Sequence, residues 1–204
     1  RLLTRNRIFI DRMCNTAILS KEDALSYGLS GPILRSTGVD YDVRKKYPYS
    51  SYQDFEFEVP LGSKGDNYDR FLVRFEEMEQ SLRICEQAIK NFPGGPVSVS
   101  DPRIMLAPKD EVYSSIDGMI NHFELVMFGV KPPVGDVYHM VEGGNGELGF
   151  YCVSDGSGKP YRLHVRSPAF IHMGCFKKMI VGANIADIIP TFGMINMIGG
   201  ECDR

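Results

Sequence analysis

Phe71, Phe75, Met78, Leu82, Cys85 and Ile89 recur at alternating steps of four and three residues, the spacing of a single apolar stripe on a helix. That periodicity predicts one long helix over residues 66–92, stopped by Pro93-Gly94-Gly95-Pro96. Such a stripe reads as a core face, with Glu76, Glu77, Glu79, Gln80 and Arg83 on a solvated or partner-facing side. A second helix is expected over 112–128, where Ile116, Ile120, Phe123 and Met127 share a side and His122 lies beside them. The alternation Phe55-Glu56-Phe57-Glu58-Val59 predicts a short strand within an otherwise extended stretch, 41–60.

Gly143-Gly144-Asn145-Gly146 between residues 137–142 and 147–154 is a hairpin signal, and a third strand is expected at 161–166. Helical pieces follow at about 169–181 and 184–189. One further helix is predicted near the start, over 21–27, with Glu22 and Asp23 suited to its first turn. The closing apolar run, from Ile185 to Ile198 and interrupted by Pro190, predicts a docked, buried C-terminal tail, since a solvated end would not need such residues. Together these elements predict an α+β fold: a helix-rich core with a long central helix, a small antiparallel sheet and a buried C-terminal tail.

Composition narrows the class. With 204 residues, 43% of them hydrophobic, the chain can bury a sizeable core as one domain or two closely packed lobes. A net charge of −3 speaks against a nucleic-acid footprint, which needs a basic patch. The longest apolar run is shorter than the roughly 20 residues of a spanning helix. Cys14, Cys85, Cys152, Cys175 and Cys202 are scattered, with no Cys-x-x-Cys pair, and His122, His139, His164 and His172 do not cluster with them at metal-ligand spacing, so they read as reduced, buried structural thiols. Asp155-Gly156-Ser157-Gly158 imitates a phosphate loop but lacks the following Lys-Ser/Thr and an immediate helix, which leaves a turn between strands. No nucleophile triad or nucleotide fingerprint is present, and no residue is assigned a catalytic role.

Seven motifs occur in a fixed order: Leu3-Thr4-Arg5-Asn6-Arg7-Ile8; Glu22-Asp23-Ala24-Leu25-Ser26-Tyr27-Gly28 with Ser30-Gly31-Pro32; Leu34-Arg35-Ser36-Thr37-Gly38 with Tyr41-Asp42-Val43-Arg44; Gly65-Asp66-Asn67-Tyr68-Asp69-Arg70; Ser154-Asp155-Gly156-Ser157-Gly158-Lys159-Pro160-Tyr161-Arg162; Arg166-Ser167-Pro168-Ala169-Phe170; and Gly200-Glu201-Cys202-Asp203-Arg204. In this order they resemble the D-type or 49 kDa subunit of respiratory complex I, the proton-pumping NADH:quinone oxidoreductase, a family related to the nickel-iron hydrogenase large subunit. The resemblance covers essentially all 204 residues and implies the C-terminal half of such a subunit, with its end intact.

The resemblance implies a part in the quinone-reduction pocket beside an iron-sulfur cluster carried by a partner. Met194, Asn196, Met197, Ile198 and Gly199 would line or back the quinone. Arg35, Arg44, Asp66, Asp69, Arg70, Arg162, Arg166 and Asp187 would form a structural charge network, with Asp187 paired to one of the named arginines. The implied partners are the cluster-bearing B-type subunit, the C-type subunit, the quinone-channel membrane subunit and the N-terminal half of the same subunit. The implied location is peripheral, on the cytoplasmic face of a bacterial inner membrane or the matrix face of a mitochondrial one. The isolated chain is expected to be inactive.

Aligned with the hydrogenase tail, Asn196, Ile198 and Glu201 stand where the ancestral Asp and two nickel-binding Cys would be, so no metal on this chain is implied. Family members usually carry Asp at the position of Asn196, and an amide cannot take up a proton as a carboxylate does. Two other readings stay open: a component of a related membrane-bound hydrogenase-like or F420-type dehydrogenase complex, and a non-catalytic scaffold fragment.

Overall fold

The structure, a computed structural model, describes residues 3–203; Arg204, the last residue of the tail motif, lies outside the described residues. The described chain is helix-rich with one three-stranded sheet, the α+β class expected. It divides into two compact units. The larger takes in the chain up to Asn91, Met140–Gly149 and the chain from Val165; the smaller holds Phe92–His139 and Phe150–His164.

In the larger unit, short helices α1 (Arg7–Met13), α2 (Lys21–Ser26), α3 (Gly31–Ser36) and α4 (Val43–Lys46) precede the long helix α5 (Asn67–Lys90). Of the four short ones, only α2 is legible in the sequence. The others are single turns or little more, too short to show a repeat. Caps fix where two of them start: Asn6 Oδ1 accepts from the amides of Ile8 and Phe9, and Asp42 accepts from Arg44. Asp66 caps α5, its Oδ1 accepting from the Asp69 amide at 2.8 Å while Oδ2 accepts from Asn15 at 2.8 Å.

The stripe on α5 departs from the core reading. Asn67, Arg70, Phe71 and Val73 are buried, but exposure rises along the helix, from 8% at Phe71 to 78% at Ile89. Periodicity specifies which face is apolar; it carries no information on what covers that face. Glu77 departs too: half-buried, it accepts a hydrogen bond from Arg35 instead of facing solvent.

Residues 55–59 form no strand. Their backbone is matched to α5 side chains: the Glu56 and Glu58 amides donate to Gln87 Oε1 (2.9 Å) and Gln80 Oε1 (3.1 Å), and Gln87 Nε2 returns a bond to the Glu56 carbonyl (2.7 Å). With those groups satisfied, no second strand is required.

Strands β1 (Gly135–Gly143), β2 (Gly146–Ser154) and β3 (Arg162–Arg166) pair in sequence order, with a tight Gly144-Asn145 turn as expected. In the smaller unit, the predicted helix over 112–128 is two helices, α6 (Lys109–Ser114) and α7 (Ile116–Phe128). Ser115 breaks it: its extended backbone ends α6 and its hydroxyl caps α7 by accepting from Gly118. The α7 side chains Ile116, Ile120, Phe123 and Met127 are exposed rather than core.

After β3 the larger unit resumes with α8 (Pro168–Ile180), a 3-10 turn (Ile185–Asp187) running into α9 (Ile188–Ile195), and α10 (Gly199–Cys202). Helix α9 continues past Pro190, because that proline lies in its first turn, where an amide has no intrahelical partner to lose. The tail is docked through buried Thr191 and Ile195, while Ile185, Ile189 and Ile198 remain exposed. The core of this unit gathers Leu19, Ala24, Leu29, Ile33, Leu34, Cys175, Met179 and Ile195, so α2, α3, α8 and α9 share one apolar interior. Cys175 is the one fully buried thiol of the five and Cys85 is exposed, which corrects the expectation of uniformly buried cysteines.

Gly31 and Gly146 show how closely the hairpin turn is seated. Gly31 has φ +67°, and a Cβ there would lie 2.5 Å from Gly146 Cα and 2.7 Å from the Asn145 carbonyl carbon. Gly28, with φ +69°, has open space around the same position. Gly31→Ala should therefore cost more than the ~1 kcal/mol expected of backbone strain alone at Gly28→Ala. Thermal melting of the two variants tests this, and equal losses would mean the turn is free to shift.

Candidate functional site

The larger unit carries a groove of about 700 Å³ whose floor is α5. Phe71, Phe75, Met78 and Leu82 supply its apolar surface; Gly144 of the hairpin turn and Gly193, Met194 and Asn196 of the tail close one side. The aromatic rings are ordered against one another, with Phe71 to Phe75 at 4.7 Å between centroids and Phe9 to Phe71 at 4.9 Å. Arg74 and Glu77 place a cation and a carboxylate among these apolar groups. An elongated apolar slot with a few polar groups suits a flat, mostly hydrophobic ligand.

Glu77 also borders a second, polar hollow of about 200 Å³ lined with Arg35, Arg44 and Glu142. Arg35, 1% exposed, donates from Nε to Glu77 Oε1 (2.6 Å) and from Nη1 to Glu142 Oε1 (2.9 Å) and the Tyr41 carbonyl (2.9 Å). Asp42 lies 3.7 Å from the same guanidinium and accepts the fork of Arg44 at 3.0 and 2.7 Å. Arg44 in turn stacks over the Phe57 ring, 5.0 Å from its centroid. Two guanidiniums thus face three carboxylates. Burial, reinforced by the charge of Asp42, pushes the Glu142 carboxyl above its ordinary range. Asp42 is held below its ordinary range, because the bonds and charge of Arg44 outweigh its burial.

The remaining expected residues fall into separate places. Arg70 is wholly buried and donates to Asn67 Oδ1 (2.9 Å) and to the carbonyls of Ala17 (2.8 Å) and Gly65 (2.7 Å). Burial lowers its pKa to about 10. Asp66 and Asp69 act as caps, the latter accepting from the Ser63 and Lys64 amides. Arg166 binds the carbonyls of Glu147 (2.6 Å) and Gly28 (2.9 Å), bracing β2 against the turn after α2. Arg162 is exposed on β3, in the smaller unit, and is not part of the buried cluster of Arg35 and Arg44. Asp187 pairs with Arg12 at 3.6 Å, not with an arginine named from the sequence, because the 3-10 turn places it beside α1. In the tail, Met194 and Asn196 line the groove; Met197 packs on the core, and Ile198 and Gly199 begin α10 away from the groove lining.

Glu142, Arg74, Asn145 and His172 escaped sequence reasoning, as did the inward turn of Glu77. Arg74 and Glu77 had a legible signal, since they sit one turn apart between the positions of an apolar stripe; the other three depend on long-range packing. His172 is buried, with Nε2 3.2 Å from the Ser30 carbonyl. Burial is the main cause that lowers its pKa to about 4, and Arg74, Arg166 and Arg70 add to it. Among the described residues no three His, Cys, Asp or Glu side chains converge as a metal ion would need. The positions aligned with hydrogenase ligands hold Asn196, Ile198 and Glu201, which supply no thiolate, so they do not fit a nickel centre.

The larger unit is thus an α+β scaffold carrying a helix-floored apolar groove beside buried arginine-carboxylate bonds. Sequence comparison gives the family. Residues 1–204 match the family described as respiratory-chain NADH dehydrogenase, 49 kDa subunit, and the chain belongs to it. It is 55% identical over 203 residues to the D subunit of the NADH-quinone oxidoreductase of Pelobacter propionicus, covering 100% of this chain and 50% of the relative. It is likewise 55% identical to the D subunit of Myxococcus xanthus, covering 100% and 49%. The C/D subunit of the NADH-quinone oxidoreductase of Bdellovibrio bacteriovorus is 51% identical over 199 residues, covering 98% and 36%. The chain spans about half the length of the curated D-type relatives it matches.

Two outcomes follow from the buried charges. Arg35→Gln leaves three carboxylates around one remaining guanidinium and should cost about 3–5 kcal/mol in urea unfolding, whereas Glu142→Gln, which removes the surplus carboxylate, should cost about 1 kcal/mol. Equal costs would mean the cluster is not short of positive charge. For His172, the folded pKa lies below the unfolded value. Above about pH 6.5 the ring is neutral in both states. As pH falls towards 4 the unfolded chain takes up a proton that the folded chain refuses, so roughly 3 kcal/mol of stability is lost. His172→Gln should flatten stability against pH across that window.

Proposed function

We propose that this chain is the C-terminal half of the quinone-site subunit of proton-pumping NADH:quinone oxidoreductase, and that its groove forms part of the quinone-reduction pocket. The observation that carries this reading is the convergence of the α5 stripe with Met194 and Asn196 of the tail in one apolar slot. Family membership supports the quinone as ligand, since the relatives are named as NADH-quinone oxidoreductase subunits. A quinone ring is flat and apolar with two carbonyl acceptors, which matches aromatic and methionine walls carrying one guanidinium. Electrons reach it from an iron-sulfur cluster on a B-type partner; this chain's residues shape one side of the slot.

The unpartnered part of α5 and the exposed Ile189 and Ile198 are apolar surfaces suited to being covered in an assembly. The N-terminal half of the subunit, the B-type and C-type subunits and the quinone-channel membrane subunit are the proposed occupants. The name of the Bdellovibrio relative, which joins C and D, supports a C-type neighbour. No helix among the described residues is long and apolar enough to cross a membrane, which supports a peripheral position at the membrane face. The soft-donor deficit at residues 196–201 favours this reading over a hydrogenase-like one.

A photoreactive ubiquinone analogue applied to the assembled complex should label peptides containing residues 71–85 and 193–196, with labelling abolished by excess unmodified quinone. Labelling confined to other chains, or unaffected by competition, would overturn the assignment of the groove.

A further inference from the structure

We propose that Arg74 and Asn145 are positioning residues that clasp the tail at Asn196 across one wall of the groove and so set how deeply a quinone headgroup seats. This rests on the quinone-groove reading above. Asn196 Nδ2 donates to Asn145 Oδ1 at 2.7 Å, and Asn145 Nδ2 donates to the Asn196 carbonyl at 3.1 Å. The two residues are 51 positions apart in sequence, yet they exchange two hydrogen bonds. Asn196 caps α9 in the left-handed region (φ 55°, ψ 51°), a conformation asparagine tolerates better than most residues. The direction in which the chain leaves α9 is therefore decided at the same residue that the clasp holds.

Arg74 closes the other side. Its Nη1 reaches the Gly144 carbonyl at 3.4 Å, and its Nη2 reaches the carbonyls of Met194 and Ile195 at 3.4 and 3.3 Å. All three contacts are to backbone oxygens, from the hairpin turn and from the tail. A planar fork spans two such segments; a lysine ammonium, a single point, would hold only one. Both anchors stand on fixed supports. Arg74 lies about two turns into α5, whose start is capped and buried, and the Asn145 turn is pressed against Ser30 and Gly31, where a Cβ on Gly146 would lie 2.6 Å from Ser30 Oγ. At the head of α9, Asn67 Nδ2 donates to Thr191 Oγ1 at 3.0 Å, so the tail is held at both ends of its helix.

The clasp also accounts for an amide at position 196. A carboxylate there would lose the donor to Asn145 Oδ1, and Asn145 would have to turn its amide over to donate instead. The neutral pair works as a geometric device, not a proton carrier.

The test uses the assembled complex with variants in this subunit, with assembly verified by native mass. Asn145→Ala and Arg74→Lys should each raise KM for a short-chain quinone about tenfold while lowering kcat by less than about threefold, because headgroup seating is loosened. The effect of the double variant Asn145→Ala/Asn196→Ala should fall short of the product of the two single effects, because Asn145→Ala by itself already removes both shared bonds. Met78→Trp, which adds bulk inside the groove and leaves Arg74, Asn145 and Asn196 unchanged, serves as the comparison. If Met78→Trp raises KM but the clasp variants leave it unchanged, the groove reading stands and the clasp is overturned. If none of the variants moves KM, the groove reading itself has failed and the clasp falls with it. Independent, multiplicative effects of the two asparagine substitutions would also overturn the clasp.

Discussion

The guanidinium of Arg35 ties three remote segments together at one point. It leaves α3 buried, and its donors reach Glu77 on α5, Glu142 on β1 and the backbone at Tyr41, with Asp42 alongside. Taking such a charge out of water is costly, and the cost is offset by the carboxylate and carbonyl acceptors gathered around it. The long helix, the hairpin and the loop before α4 are thereby held to one geometry. The groove inherits that geometry, because Glu77 borders it and β1 leads directly into the turn that carries Gly144 and Asn145.

Around that brace the larger unit divides its labour. Apolar burial is concentrated in α2, α3, α8 and α9, where Leu19, Ile33, Cys175 and Ile195 meet, whereas the groove lies on the less covered flank of α5. The aromatic and methionine side chains there are held by a well-packed helix start yet remain open to a ligand or to neighbouring chains. The apolar stripe lines the groove from Phe71 to Cys85 and is most exposed at Ile89.

Much of the scaffold was legible. The four-and-three spacing located α5 to within two residues at its end, and the Gly144-Asn145 turn announced the hairpin. What the periodicity overstated was burial: an apolar stripe looks the same whether its cover is in this chain or another. Residues 55–59 misled for a related reason, since alternation signals a ribbon with two faces, and here Gln80 and Gln87 satisfied the backbone that a neighbouring strand would otherwise have paired. The short helices α1, α3 and α4 carry too few residues for a period to emerge. Among the site residues, Met194 and Asn196 came from the tail through the family resemblance. Glu142 and Asn145 had no local signal, because their partners Arg35 and Asn196 lie 107 and 51 residues away.

Contiguous chain was enough to specify local chemistry: which stretches are helical, which turns need glycine, where caps fall, and through ordered motifs the family to which the protein belongs. Packing alone revealed which charges are buried together, that Asp187 meets Arg12, that Glu77 turns inward, and that an asparagine in a hairpin turn faces an asparagine in the tail. The difference is one of range. Helix and turn signals act over a few neighbouring residues, whereas the desolvation of Arg35 and the pairing of Asn145 with Asn196 depend on distances that exist only once remote segments have come together.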